Sequence, residues 1–366
     1  MKPITAFFLL ITLMILIVGC VHTSSEHNVV QPVGISGSGL QADEGLGGTG
    51  KQADKGFGGT GKQADKGFGG TGKQADKGFG GTGIVGTITQ FGSIWVNGLE
   101  VHYNAKTPVK INGKPAQAKN LELGQIVVVF TRQKTGDQTL QAGLIVILNA
   151  LRGPITEVGP KPNQIKILNI PVTLDLATPQ TTRKLQKGDF VAVSGHWKID
   201  GSVRATHLRF VDNDNRVQVV GLVSKAQGDQ MTVSGVTVNT RQSNIKATAA
   251  SGRTVVVFGT RQGNTIIADK VKINPLTPFG KKAARLALEG YIQEVHADGS
   301  FRMLGTTQVT PNAQTQFTGL SRTDIKVGQL VQVDGPVEPN QRLIPGKVRL
   351  VRPAEPAPSN NVKSHD

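Results

Sequence analysis

Cysteine is nearly missing from this chain. Cys20 is the only one in 366 residues, so no disulfide can form within one molecule. Aromatic side chains are also scarce. A protein that gathers single-stranded nucleic acid by stacking needs a platform of exposed rings, yet the two tryptophans and two tyrosines, Trp95, Tyr103, Trp197 and Tyr291, are scattered over three segments. Specific nucleic-acid binding is therefore not expected. Signatures of common catalytic sites are missing too. The seven histidines are dispersed, and no H-E-x-x-H, G-x-S-x-G or paired-cysteine motif occurs. Neither a cofactor nor catalytic residues are expected, and the chain reads as a non-enzyme.

One long apolar run is present. It follows Lys2, runs through Phe7, Leu9, Leu13, Ile15 and Val18, and ends at Ile17-Val18-Gly19-Cys20. It is short for a membrane span and flanked like a secretory signal. The final tetrad resembles the bacterial lipobox, in which a small residue precedes a cysteine that receives lipid and becomes the mature N-terminus. That resemblance implies a signal peptide over residues 1–19, lipidation of Cys20 and anchoring of the mature chain to a membrane by more than one acyl chain. Val21, where a retained protein would carry Asp, favours the outer membrane by analogy with enteric bacteria, with the chain facing the periplasm or the cell surface.

Residues 20–83 read as a flexible, disordered tether. Four copies of an eleven-residue unit run from Leu40 to Gly83, LQADEGLGGTG once and KQADKGFGGTG three times. The letters GFGGTGKQ satisfy both G-x-x-x-x-G-K and G-x-G-x-x-G, but a phosphate loop needs a strand before it, a helix after it and a hydroxyl following the lysine. Here the polar stretch Gln-Ala-Asp-Lys precedes the glycines and Gln63 follows Lys62. Glycine-rich segments with little to bury gain too little to offset the entropy of ordering. Phe57, Phe68 and Phe79 recur at an interval of eleven, either as contacts for a partner or simply as part of a duplicated spacer.

The remainder repeats more subtly. Four stretches open with a glycine and an apolar residue two positions on, at Gly86, Gly153, Gly221 and Gly290. Each later shows a glycine three residues before a valine (Gly124, Gly188, Gly252, Gly328) and closes around Ala142, Ala205, Ala268 or Pro345. These are internal homologues over residues 84–150, 151–213, 214–280 and 281–353. Their β-branched, period-two patterning predicts strands. A hairpin turn at Asp200-Gly201 places Val193 opposite Leu208 and Val191 opposite Phe210. A three-residue loop at Gly263-Asn264-Thr265 pairs Val257 with Val271 and Val255 with Ile273. The stretch Lys281 to Leu288 is expected to form a helical turn or two. Short antiparallel strands in units this small hide their edges by curling into a barrel. The expected fold is all-β, a tandem array of four small antiparallel β-barrels (OB-like), packed together or in a rod, with residues 354–366 a disordered tail.

GGTGIVGTITQFGSIWVNGLEVHY, from Gly80 to Tyr103, followed by Leu121-Glu-Leu-Gly124-Gln-Ile-Val127, resembles the bacterial domain of unknown function 5666, found in secreted proteins and lipoproteins. The first unit resembles it most, and the later units lack the FGSIWVNG stretch. The resemblance implies small β-barrels in the cell envelope and carries no catalytic residues. Asn97 and Gly98 are expected to serve a turn.

Charge supplies the functional hint. Lys and Arg total 41 against 25 Asp and Glu, a formal +16, divided as +3, +4, +5 and +4 over the four units, +1 over residues 1–83 and −1 over the tail. A basic folded surface draws polyanions. The expected partners are thus the membrane through Cys20, with anionic envelope polymers or other envelope proteins; a basic balance serving solubility alone is the plain alternative. A second functional class, an enzyme or enzyme subunit acting on envelope polysaccharide with a site between units, stays open. His196 and His207 are the one candidate metal pair, placed by the Asp200-Gly201 hairpin as diagonal neighbours on the outer face, with no third ligand apparent. Trp197 shares the face of Val193 and is expected in the core. Asp212-Asn-Asp-Asn215 has oxygen spacing like a calcium loop, but lacks its glycine and closing glutamate; it reads as a polar bridge between units.

Overall fold

Short β-branched runs broken by Gly- and Asn-containing turns form strand after strand in this computed structural model, which describes residues 81–132, 139–175, 183–279 and 283–353. The signal segment, Cys20, most of the repeats and the tail 354–366 lie outside the described residues.

The strands group into four closed barrels. Barrel 1 comprises β1 (Thr82–Gln90), β2 (Ile94–Val96), β3 (Leu99–His102), β4 (Val109–Ile111), β5 (Lys114–Ala116), β6 (Ile126–Arg132) and β7 (Leu140–Ile147). Barrel 2 comprises β8 (Leu151–Val158), β9 (Gln164–Ile167), β10 (Ile170–Leu174), β11 (Phe190–Trp197) and β12 (Val203–Phe210). Barrel 3 comprises β13 (Arg216–Gln227), β14 (Gln230–Val233), β15 (Val236–Asn239), β16 (Thr254–Gln262) and β17 (Thr265–Ile273). Barrel 4 comprises β18 (Arg285–Val295), β19 (Phe301–Met303), β20 (Thr307–Val309), β21 (Gln316–Thr318), β22 (Leu330–Pro336) and β23 (Lys347–Arg352).

In barrels 2 and 3 the five strands close in the order 1-2-3-5-4 and back to 1. The third strand lies parallel to the fifth and every other neighbour is antiparallel. Barrel 1 has the same circuit with β6 and β7 as its last two strands, and inserts the hairpin β4–β5, which lies along β7. Barrel 4 completes its circuit with the bridge between Val309 and Leu343 and with β21 beside β23. Closure pairs each strand of the five-strand circuits of barrels 1 to 3 on both sides, while β5 and β21 stand at the ends of their sheet.

The repeated glycines have a steric cause. In each barrel the opening glycine lies under the first residue of the turn between the second and third strands. A Cβ on Gly86 would stand 1.9 Å from Asn97 Oδ1, and one on Gly221 would stand 2.1 Å from Ser234 Oγ; Gly153 and Gly290 sit likewise under Leu168 and Leu304. Those four turn residues all have positive φ, between 46° and 57°. The paired registers expected for barrels 2 and 3 are present, Val193 to Leu208 and Val257 to Val271. In barrel 3 the loop is two residues long, since Gln262 pairs with Thr265, and a bulge at Phe258/Gly259 restores the register.

Other expectations are corrected. Thr82 and Gly83, assigned to the tether, belong to β1, where Gly83 pairs with Phe130 and Leu286. The helical turn expected over Lys281 to Leu288 is strand from Arg285 onward, paired on both sides by barrels 1 and 4. Among the described residues the helical elements are 3-10 turns at Ala118–Asn120, Ala247–Ala250 and Arg322–Asp324.

The barrels are not beads on a string. The first strands of barrels 1 and 4 pair in parallel, Thr82 to Val85 against Arg285 to Leu288. Those of barrels 2 and 3 pair antiparallel, Leu151 with Val219. The consecutive run Val127-Val128-Val129-Phe130 is buried throughout for this reason. Val127 and Val129 fill barrel 1, whereas Val128 and Phe130 pack outward in a cluster with Leu286 and Leu288 of barrel 4. Burying such a side chain is worth about 1.5–3 kcal/mol. Leu148 of barrel 1 packs similarly against Val220 and Val256 of barrel 3.

Candidate functional site

The four barrels meet around a junction built from side chains on their outer faces. His196 on β11 points away from the core of barrel 2, as the sequence register requires, but its Nε2 lies 2.8 Å from Glu289 Oε1 of β18 and 3.2 Å from Thr87 Oγ1 of β1. Thr87 donates to the same carboxylate at 2.7 Å, and Gln332 Nε2 donates to the other oxygen at 2.5 Å. Gln332 in turn accepts from the guanidinium of Arg349. Three barrels thus share one buried ionic group. Burial opposes the charge of Glu289, but the hydrogen bond and charge of His196, with Thr87 and Gln332, outweigh it and hold the carboxyl below its ordinary value.

His207 has a different partner, Glu122 in the turn before β6 of barrel 1, at 2.5 Å. Burial pushes its pKa down, and Glu122 only partly offsets this. Beside it, Thr206 Oγ1 donates to Gly124 O at 2.7 Å. His196 and His207, weak candidates for a metal in a chain read as holding none, thus have separate partners. Each imidazole is committed to its own carboxylate in a different interface, and no group of three or more metal-type side chains exists among the described residues. Arg352 of barrel 4 reaches Asp175 of barrel 2 at 2.8 Å, and Arg204 Nε donates to Tyr291 Oη at 3.2 Å. Arg152 bonds Asp214 and the backbone of Asp212, so the Asp212–Asn215 stretch does bridge barrels 2 and 3.

Asn97 does more than make a turn. With φ 57° and Gly98 at 76°, it forms the left-handed turn expected of Asn-Gly. Its side-chain nitrogen also donates to Val85 O at 2.8 Å and to Ala287 O at 3.1 Å, tying barrel 1 to barrel 4. Sequence could place the turn but not the second barrel beside it.

At this junction opens a cavity of about 680 Å³ with walls from all four barrels. Trp197, expected in the core, lines it and is only partly buried. A second feature lies on barrel 1. Lys106, Lys110, Lys114 and Lys119 stand in and around the β4–β5 hairpin, in a stretch from Val101 to Leu121 that contains no acid. Barrel 3 contributes there too, with Lys272 Nζ 3.6 Å from where a Cβ on Gly113 would be.

No curated protein matches this chain. The family model described as Domain of unknown function (DUF5666) matches residues 152–209 and 289–347. Residues Gly80 to Tyr103, which carried the resemblance in sequence, lie outside both matches. The first match spans nearly all of barrel 2's strand circuit and the second spans barrel 4 from within β18 to the start of β23, so two of the four barrels are similar to the DUF5666 domain.

Proposed function

We propose that this chain is a lipid-anchored, non-catalytic binding module of the bacterial cell envelope, held to the membrane through Cys20 and presenting basic barrel surfaces to an anionic envelope polymer. The carrying observation is the β4–β5 hairpin. It is additional to the five-strand circuit, carries Lys110 and Lys114 with Lys106 and Lys119 flanking it and no salt-bridging acid among the described residues, and lies close to Lys272 of barrel 3. The strand order 1-2-3-5-4 supports an OB-like reading, a barrel type that binds oligosaccharides and oligonucleotides through its loops and one face. The signal-like run before Cys20 supports export.

The test is retention of the chain on immobilised alginate, an acidic polysaccharide, as salt rises from about 50 to 500 mM across the screening range. Wild type is expected to elute late in that gradient, and the Lys106, Lys110, Lys114 and Lys119→Gln variant early. Salt-independent retention, or equal elution of both proteins, refutes the reading. Labelling with a radioactive fatty acid is expected to mark the wild type and spare Cys20→Ala.

A second reading, an enzyme or enzyme subunit acting on envelope polysaccharide, is favoured by the position of the cavity between units. Against it, His196 and Glu289 on that wall bond each other and Thr87 rather than face a substrate. Release of reducing ends from alginate, lost in Glu289→Gln, would establish it.

A further inference from the structure

We infer that the cavity at the junction is a binding site for a single-chain amphiphile, its apolar body between the barrels. Three observations converge. The volume, about 680 Å³, lies within the range of small-molecule sites. Its lining is dominated by apolar side chains, among them Leu148, Ile170, Leu222 and Leu304. The two most exposed large apolar side chains among the described residues, Ile199 (59 %) and Leu222 (50 %), both stand on this wall. Side chains of that kind usually avoid water, and a contiguous exposed apolar surface beside a cavity marks an interaction site.

Polarity on the wall narrows the ligand. His196 and Glu289 are bonded to each other, Tyr291 Oη accepts from Arg204, and Gln293 Oε1 accepts from Gly305 N. Lys198 faces Asp200, and Arg302 faces Glu294. With the charged groups of the wall already paired, recognition falls to the apolar body, which a fatty-acyl compound supplies.

The experiment uses the full chain carrying Trp95→Phe, so that Trp197 is its sole tryptophan, titrated with the fluorescent fatty acid cis-parinaric acid and then with palmitate as competitor. The expected result is saturable binding of one probe per chain, quenching of Trp197 emission by energy transfer, and reversal by palmitate. Ile199→Asp with Leu222→Asp is expected to weaken probe binding about tenfold or more. Both positions are exposed, so unchanged far-UV circular dichroism and unchanged retention on alginate separate this effect from misfolding and from the polyanion reading. Absence of saturable binding, or equal affinity in the Ile199→Asp/Leu222→Asp variant, overturns the inference.

Discussion

Replacing His196 by alanine tests how the barrels are held together. In the wild type, Glu289 is buried, with its charge balanced by His196 at 2.8 Å and its oxygens taken by Thr87 and Gln332. His196→Ala removes the imidazole partner and leaves the carboxylate with two neutral donors. Breaking a buried pair in this way costs about 3–5 kcal/mol, because the remaining charge stays desolvated. At this chain length each kcal/mol corresponds to roughly 2–4 °C in Tm, so the melt followed by far-UV circular dichroism is expected to fall by about 10 °C. The double variant His196→Leu with Glu289→Leu removes both charges and substitutes apolar volume, which is often close to neutral. It is therefore expected to melt above His196→Ala, and the coupling between the two sites is read from the cycle. A His196→Ala melt within a degree or two of wild type would refute the account of the junction as one ionic group shared by three barrels.

Gly124 has φ 82°, and a Cβ there would stand 2.2 Å from Thr206 O, whereas its counterpart Gly188, with φ 95°, has open space. Gly188→Ala is expected to cost about 1 kcal/mol for its left-handed backbone and Gly124→Ala at least about twice that, measured by urea denaturation; equal losses would argue against a tight contact between barrels 1 and 2. Asn97→Ala removes one hydrogen bond within barrel 1 and one to barrel 4 and is expected to lower stability by about 1–3 kcal/mol, with a small change in Tm counting against the tie. Because burial holds the His207 pKa below its ordinary 6.5, the unfolded chain takes up that proton first as pH falls through 6.5. Stability is thus expected to decline from pH 7 to 5 at no more than about 1.4 kcal/mol per pH unit from this group, and His207→Gln is expected to flatten the decline. Glu289, held below its ordinary 4.5, stabilises the fold above that value and loses its contribution as pH falls further, so His207→Gln leaves an acid limb below about pH 4.5.

The sequence by itself determined the barrels one at a time. Their repeats, boundaries and hairpin registers are local facts. Asp200-Gly201 marks the turn of one hairpin, and period-two valines at Val191, Val193 and Val257 mark inward faces. The glycines at 86, 153, 221 and 290 are visible as a repeat because each barrel faces the same steric demand under its second turn. What only the tertiary structure decided is how barrels meet. An outward side chain looks the same in sequence whether it meets water or another barrel, so His196 and His207 read as exposed neighbours although each is buried against a different carboxylate. A partial signal existed in the unbroken run Val127-Val128-Val129-Phe130, since a strand with one wet face alternates and a strand covered on both faces does not. Even so, the run could not name its partner. The contact between barrel 1 and barrel 4 joins residues about 200 positions apart, and nothing local to either strand encodes it. The central cavity exists only because four outer faces converge, so its lining is spread from Val85 to Gly305 and no single segment of the sequence reveals it.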